Sequence, residues 1–205
     1  MSTLTLPPSV SNRLDAVNVL LQAIGESPVN SIDTSEAVDV SAASQCLDEF
    51  DRAVQMRGWW WNKEIDLTLT PSSDGTIPLP TNCLSIVKAY PSGDAALIVE
   101  RGRQLYDMTN HTYIFALPVQ VDMVLRLDWE EMPEVMRRYI TIWAAQQYQG
   151  RIQTSQGVGQ ILDSAVDEAR AECGHKEDEV QESNSITGNA SVAFRLNGRL
   201  RRRQN

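Results

Sequence analysis

AVNVLLQAIGESPV, residues 16–29, has the pattern of one amphipathic helix with a defined start and stop. Its apolar positions recur every three or four residues, which places them on one helical face. Asn12 can cap the start, with Asp15 three residues later. Gly25 supplies the left-handed position that ends a helix, and Pro28 prevents the helix from resuming. The predicted inward residues are Leu14, Val17, Leu20, Leu21 and Ile24.

A second helix is predicted between a possible capping pair, Asp33 and Glu36, and the terminating Gly58. This helix is long enough to form one wall of a helical bundle. Its predicted inward residues are Val40, Ala43, Leu47, Phe50 and Val54.

From Glu64 the apolar period changes to two, which is typical of β-strands with one covered face. Ile65, Leu67 and Leu69 alternate with polar residues before a turn at 71–75. The alternation is strict over 119–127, which indicates an antiparallel sheet. Strands are predicted at residues 64–70, 85–90, 97–100, 105–108, 113–116 and 119–127.

Helical spacing returns after Pro133, a residue suited to the first turn of a helix. A fourth helix is predicted from about Ser155, with its acids on the side away from its apolar stripe. The third helix should turn inward Val135, Tyr139, Ile142, Trp143 and Gln146. The fourth should turn inward Val158, Ile161, Leu162, Ala165, Val166, Ala169 and Cys173.

The predicted fold class is α+β and mainly α, with a four-helix bundle, an antiparallel β insertion between the second and third helices, and an extended C-terminal arm. We expect a helical domain of residues 1–63 and 129–183, an inserted β domain of 64–128, and an arm of 184–205. The arm is predicted because no sustained apolar period follows Glu182.

Charge is distributed unevenly along the 205 residues, whose formal net charge is −9. Residues 163–182 hold eight acids against Arg170 and Lys176, whereas the last 22 residues hold five arginines and no acid. The body should therefore repel nucleic acid, and the tail could attract it.

The sequence does not predict a membrane protein or a disulfide-stabilised one. No run approaches the roughly 18 apolar residues of a membrane span. The N-terminus also lacks the basic start and apolar centre of a secretory signal, so we expect a soluble protein made in a cytoplasm. Cys46, Cys83 and Cys173 are odd in number and far apart, which favours buried thiols.

No metal or cofactor site is predicted. Cys173 and His175 are too close in sequence for an ordinary zinc site, and His175 is expected to be solvated at a helix end. The GVG at 157–159 lacks the third glycine, the preceding strand and the lysine of a phosphate-binding loop.

Carboxylates at Asp128, Glu130 and Glu131 could in principle form the acid pair of a glycoside hydrolase. Their position just before Pro133 favours a different role, charge complementarity at a helix start. We therefore predict no catalytic residue.

Three consecutive tryptophans, Trp59, Trp60 and Trp61, cannot all point to one side of a helix or strand. A core or hinge role is the favoured interpretation, and subunit contact is the alternative.

Three short motifs lie in the order and approximate spacing of one family: RGWWWN at 57–62, DWEEMPE at 128–134 and RRYI at 137–140. With them, roughly residues 12–180 resemble the tail tubular protein A family, the head-to-tail adaptors of short-tailed, podovirus-type phages. The family pattern requires only the first tryptophan, so Trp60 and Trp61 are departures. These motifs consist of packing residues and carry no chemical signature.

The resemblance implies a virion tail protein, assembled in the host cytoplasm, that is structural and has no enzymatic activity. It implies a homo-oligomeric ring, a dodecamer, between the portal protein and the tail nozzle (tail tubular protein B), with tail fibres attached nearby. Double-stranded DNA would pass through without specific binding, which an acidic body favours.

Several residues receive roles from this interpretation. Acidic lumen candidates are Asp163, Asp167 and Glu168, which could instead face a basic neighbour. Core or subunit-contact candidates, besides the three tryptophans, are Arg137, Arg138 and Tyr139. The arm is expected to contact the portal or a neighbouring subunit, and its alternative is to fold back on the acidic fourth helix. The contact residues in the arm are Phe194, Arg195, Leu196, Arg199, Leu200, Arg201, Arg202 and Arg203.

Two other function classes remain open from sequence. An acidic glycan hydrolase associated with the phage tail would turn over substrate and lose activity on changing Glu130 or Glu131. A nucleic-acid-binding regulator would use the arginine tail and show salt-sensitive affinity for DNA.

Overall fold

The computed structural model describes residues 6, 10–32, 38–91, 97–152 and 156–188. The order of elements in these residues agrees with the predicted α+β class. The helices are α1 (Arg13–Ala23), α2 (Val38–Met56), α3 (Glu134–Ile152) and α4 (Gln156–Gly188), with a short 3-10 helix at Trp129–Glu131. The strands are β1 (Lys63–Leu69), β2 (Cys83–Pro91), β3 (Ile98–Arg101), β4 (Gln104–Asp107) and β5 (Val119–Leu125).

Helix α1 begins and ends as the sequence predicts. The Asn12 Oδ1 accepts a hydrogen bond from the Asp15 N–H at 2.8 Å, which caps the first turn. Gly25 adopts a φ of +86°, and the Glu26 N–H donates to the Leu21 carbonyl at 3.0 Å. This bond closes the helix in a Schellman-type turn, so the predicted stop is confirmed.

Helix α3 is the centre of the helical part, because α1, α2 and α4 all pack against it. It contacts α2 at two separate points, since the Tyr148 hydroxyl donates to the Asp39 carbonyl at 3.0 Å and the Trp143 ring lies 5.0 Å from the Phe50 ring. Burial therefore extends beyond the predicted inward face to residues such as Ile140. The buried residues of α3 are Met136, Tyr139, Ile140, Thr141, Ile142, Ala144, Ala145, Tyr148 and Gln149.

Helix α4 buries only a narrow stripe, formed by Leu162, Ala165, Ala169 and Cys173. The prediction that Ile161 faces inward is wrong, because its side chain is 48% exposed. A helix that packs against one neighbour needs a narrower apolar face than a helix inside a closed bundle. Helix α4 continues to Gly188, so the first residues of the predicted arm are helical.

Some predicted features lie outside the described residues. The possible capping pair Asp33 and Glu36 falls there, as do residues 189–205 of the arm.

The strands form a three-stranded antiparallel sheet in the order β1-β5-β2 and a separate β3-β4 hairpin. Val119, Val121 and Met123 of β5 are buried, in agreement with the predicted alternation. They share a hydrophobic cluster with Ile77 and Leu105, separate from the helical core. The β part therefore has its own core.

The alternation fails at Ile65, whose side chain is 69% exposed. The register of β1 shifts between Glu64 and Leu67, and Asp66 has a φ of +56°. This β-bulge adds one residue to β1 and displaces Ile65 from the covered face.

The strand predicted at 113–116 is also wrong, because that segment lies in irregular structure. The Asp107 carboxylate accepts hydrogen bonds from the N–H groups of Thr109 and Asn110 and forms a tight turn. After the turn, Thr112 forms a single bridge with Asp107, and the chain then leaves β4 toward Gly75.

No helix within the described ranges is long and apolar enough to cross a membrane.

We predict that Gly58→Ala destabilises the protein more than Gly25→Ala. Both glycines have positive φ, which costs another residue about 1–2 kcal/mol. At Gly58 an added Cβ would also lie 2.7 Å from the Val124 Cγ2, whereas the space at Gly25 is open. We expect an additional loss of about 1 kcal/mol in the free energy of unfolding, or about 2–4 °C in Tm. Equal losses in thermal and urea unfolding would contradict this account of the α2 end.

Candidate functional site

Three buried polar side chains lie where the helical part meets the β part: Asp51, Gln55 and Asn62, with exposures of 4%, 0% and 2%. Asp51 and Gln55 are on α2, and Asn62 immediately precedes β1. Buried polar groups are costly unless they form hydrogen bonds, so their partners determine what this junction does.

Asn62 connects three segments of the chain. Its Oδ1 accepts a hydrogen bond from the Trp59 N–H at 2.8 Å. Its Nδ2 donates to the carbonyls of Gln55 and Leu125, both at 2.9 Å. The Asn62 carbonyl also accepts from the Leu125 N–H at 2.9 Å. One side chain thus ties the end of α2 to the start of β1 and the end of β5.

The Gln55 side-chain amide hydrogen-bonds both backbone groups of Leu127, as a neighbouring strand would. Its Oε1 accepts from the Leu127 N–H at 2.8 Å, and its Nε2 donates to the Leu127 carbonyl at 3.0 Å. The same Nε2 donates to the Asp51 Oδ1 at 2.7 Å. Helix α2 therefore holds the chain that follows β5.

An ion pair completes the junction. The Arg126 Nη2 lies 2.8 Å from the Asp51 Oδ2 and 3.4 Å from the Asp48 Oδ1. Hydrogen bonding to Asp51 is the main cause that raises the pKa of Arg126. Asp48 in turn pairs with Arg13 of α1 at 2.8 Å. The junction thus reaches from β5 to the first helix.

A cleft of about 320 Å³ opens beside the junction. Arg13 and Arg126 line it, and both are engaged with carboxylates of α2. The cleft is also lined by Asp51, Thr81, Asn82, Leu127, Asp128 and Trp129.

The junction was missed at the sequence level. Asp51 and Gln55 are spaced for contact on one helical face, and Asn62 ends the RGWWWN motif. These signals were present, but each of the three residues also bonds a residue of 125–127, which is distant in the sequence.

The tryptophan cluster lies next to the junction and divides between core and surface. Trp59 is 6% exposed, and its Nε1 donates to the Val54 carbonyl at 2.9 Å. Trp60 and Trp61 are half-buried and pack against the helical core. Trp60 meets Trp59 edge to face at 6.1 Å, and the Arg57 guanidinium lies 5.2 Å from the Trp59 ring centre. Subunit contact by Trp60 and Trp61 stays a prediction.

Arg137, Arg138 and Tyr139 contact other parts of their own chain. Arg137 donates to the Ser11 carbonyl at 3.0 Å and pairs with Glu134 at 2.7 Å. Arg138 pairs with Glu172 of α4 at 3.0 Å. Tyr139 is 2% exposed, and burial raises the pKa of its hydroxyl. A role in subunit contact stays a prediction for these residues.

The three acidic lumen candidates lie exposed on α4. Asp163 accepts a hydrogen bond from Gln146 of α3 at 2.5 Å. Asp167 and Glu168 lie on the side away from the buried stripe. Their placement at a lumen stays a prediction.

The acids before α3 are arranged around the 3-10 helix. The Asp128 N–H donates to the Glu131 Oε2 at 3.3 Å, and Glu130 and Glu131 are exposed. This geometry supports the helix-start interpretation over a hydrolytic acid pair.

Other chemistry-bearing residues occupy ordinary structural positions. All three cysteines are buried, and burial raises the pKa of the Cys173 thiol to about 12. His175 is exposed as predicted, but the prediction that it lies at a helix end is wrong, because α4 continues to Gly188. Residues 157–159 are part of the same helix. Within the described residues no group of three His, Cys, Asp or Glu side chains is placed to hold a metal ion. The arm residues Phe194 to Arg203 lie outside the described residues.

Comparison with known proteins identifies the family of this chain. Residues 14–183 match the tail tubular protein family. Tail tubular protein A of Klebsiella phage KP34 is 34% identical over 132 residues, which cover 64% of this chain and 66% of that protein. The aligned part thus spans just under two thirds of the relative.

The family match covers α2, α3, the β part, the polar junction and all of α1 and α4 except Arg13 and residues 184–188. The chain therefore belongs to the tail tubular protein family, whose members are structural components of the phage virion tail.

Proposed function

We propose that this tail protein assembles into a dodecameric ring that joins the portal to the tail nozzle and forms a conduit for DNA ejection. Membership of the tail tubular protein family carries the proposal. The proposed partners are further copies of this chain, the portal protein, the nozzle (tail tubular protein B), the tail fibres and passing double-stranded DNA.

Electrostatics support the conduit. The formal net charge of the chain is −9. Duplex DNA carries about one negative charge per 1.7 Å of its axis, so a basic lumen would hold it through many phosphate contacts. A net acidic ring lets DNA move through without binding it.

The two separate hydrophobic cores support different roles for the helical part and the β part. In our proposal the helical domain, residues 1–63 and 129–183, forms the ring wall, and the β domain, 64–128, projects toward the nozzle or fibres. The polar junction then fixes the angle between wall and projection, because Asn62 and Gln55 must each keep several hydrogen bonds at once.

The purified full-length chain is expected to form closed rings with an open centre. Negative-stain images and the mass from light scattering would measure this assembly, alone and with portal protein. A chain that stays monomeric in both conditions would overturn the ring.

Asn62→Ala should destabilise the protein by about 2–4 kcal/mol, because it removes three hydrogen bonds from a buried site: those to the Trp59 N–H, the Gln55 carbonyl and the Leu125 carbonyl. Asn82→Ala is the matched control, since exposed Asn82 donates one hydrogen bond to the Arg126 carbonyl and should cost about 0.5–1.5 kcal/mol. Urea unfolding of both variants measures the difference. Similar losses would count against the junction as the element that joins the two parts.

Deletion of residues 189–205 should leave ring formation intact and weaken portal binding. The deleted segment contains the proposed contact residues, including Phe194, Leu196 and the five arginines. Ring size by light scattering and portal binding by co-sedimentation separate the two effects. Unchanged portal binding would remove the arm from the proposed portal contact.

A further inference from the structure

The outer face of α4 is the side of this helix that lies away from α3, its main neighbour within the described residues. Helix α4 packs its buried stripe against α3, and three polar contacts also join the two helices: the Cys173 thiol to the Val135 carbonyl at 3.5 Å, Arg138 to Glu172, and Gln146 to Asp163. All involve the side of α4 near the buried stripe or its edges. The opposite side of this 33-residue helix faces away from the core.

This outer face is acidic, with an apolar side chain at its edge. Asp167, Glu168 and Asp178 are exposed there, and Ile161 is 48% exposed beside them. A partner that covers this face must carry positive charges, because burying carboxylates without opposite charges costs desolvation free energy.

The end of α2 provides a surface of that kind. Arg52 and Met56, one helical turn apart on α2, are exposed. Lys63, the first residue of β1, is also exposed, and its side chain lies beside Gly58 at the end of α2. Arg57 follows Met56 and lies 5.2 Å from the Trp59 ring centre, and half-buried Trp60 meets the same ring edge to face. We name these five residues, Arg52, Met56, Arg57, Trp60 and Lys63, the cation–aromatic surface. Arginine and tryptophan are the residue types most often found at the energetic centre of protein interfaces.

The two surfaces belong to different elements, since α2 and α4 pack separately against α3. A contact between two α4 helices would bring like charges together, which disfavours a symmetric pairing of that face. A contact between two different faces of identical copies is heterologous, and it closes into a ring when the rotation between copies allows.

We propose that the outer face of α4 in one copy docks against the cation–aromatic surface of the next copy in the ring. This inference rests on the proposed ring and names its subunit interface. It gives Asp167 and Glu168 a basic neighbour as their partner in place of the DNA lumen. It also gives half-buried Trp60 a role at the contact.

Charge reversal on either side tests the interface. D167K/E168K and R52E/K63E should each raise the protein concentration needed for ring formation by about tenfold or more. The quadruple variant restores opposite charges across the interface and the original net charge, so it should recover assembly. Sedimentation velocity over a concentration series measures each effect, and thermal unfolding checks that the subunits remain folded.

E64K/E100K is the matched control for D167K/E168K, because it makes the same change in net charge at exposed positions of the β part. It should assemble like the unmodified chain. If all charge variants form rings at the original concentration, the docking proposal is overturned while the ring stands. Rings of D167K/E168K that form normally and bind DNA in a salt-dependent way would also overturn it, by placing these acids in the lumen. If the unmodified chain forms no ring, both proposals fail.

Discussion

The hydrogen bonds of Asn62, Gln55 and Asp51 are the constraint on which the rest of this structure depends. The helical residues and the β residues form separate hydrophobic clusters, so hydrophobic burial alone would not fix their relative orientation. Apolar contacts tolerate small rotations, whereas a buried amide loses its partners when a neighbouring carbonyl moves away. Since Asn62 bonds both α2 and the end of β5, the orientation in which all partners are satisfied is strongly favoured.

This constraint suits a protein whose role is structural. A tail component must keep its shape while its neighbours attach to it, and its useful properties are surfaces held at fixed angles. Three residues with reactive or charged side chains have positions consistent with such a role. Glu131 forms a hydrogen bond at a helix start, and Arg137 binds the segment before α1. The Cys173 thiol is buried between α3 and α4. Asp167, Glu168 and Asp178 are exposed on α4.

Sequence reasoning succeeded where local physics decides the outcome and failed where a distant segment does. The start and end of α1 follow from Asn12 and Gly25, whose effects act within one turn. Ile65 was assigned to the wrong face because a bulge at Asp66 breaks the two-residue period. Ile161 was assigned inward because it has the helical spacing of the inward residues of α4, but α4 packs mainly against α3 and leaves Ile161 48% exposed.

The sequence by itself determined the four helices, most of the strands, the order of the elements and the family, because apolar periodicity and turn residues act over short distances. Only the tertiary structure decided which polar residues are buried and what they bind. Asp51, Gln55 and Asn62 are ordinary polar residues in one dimension. They become the junction because folding brings residues 125–127 against the end of α2. Hydrogen bonds between residues 63 and 72 positions apart produce no periodic pattern in the sequence, so the sequence alone does not predict them.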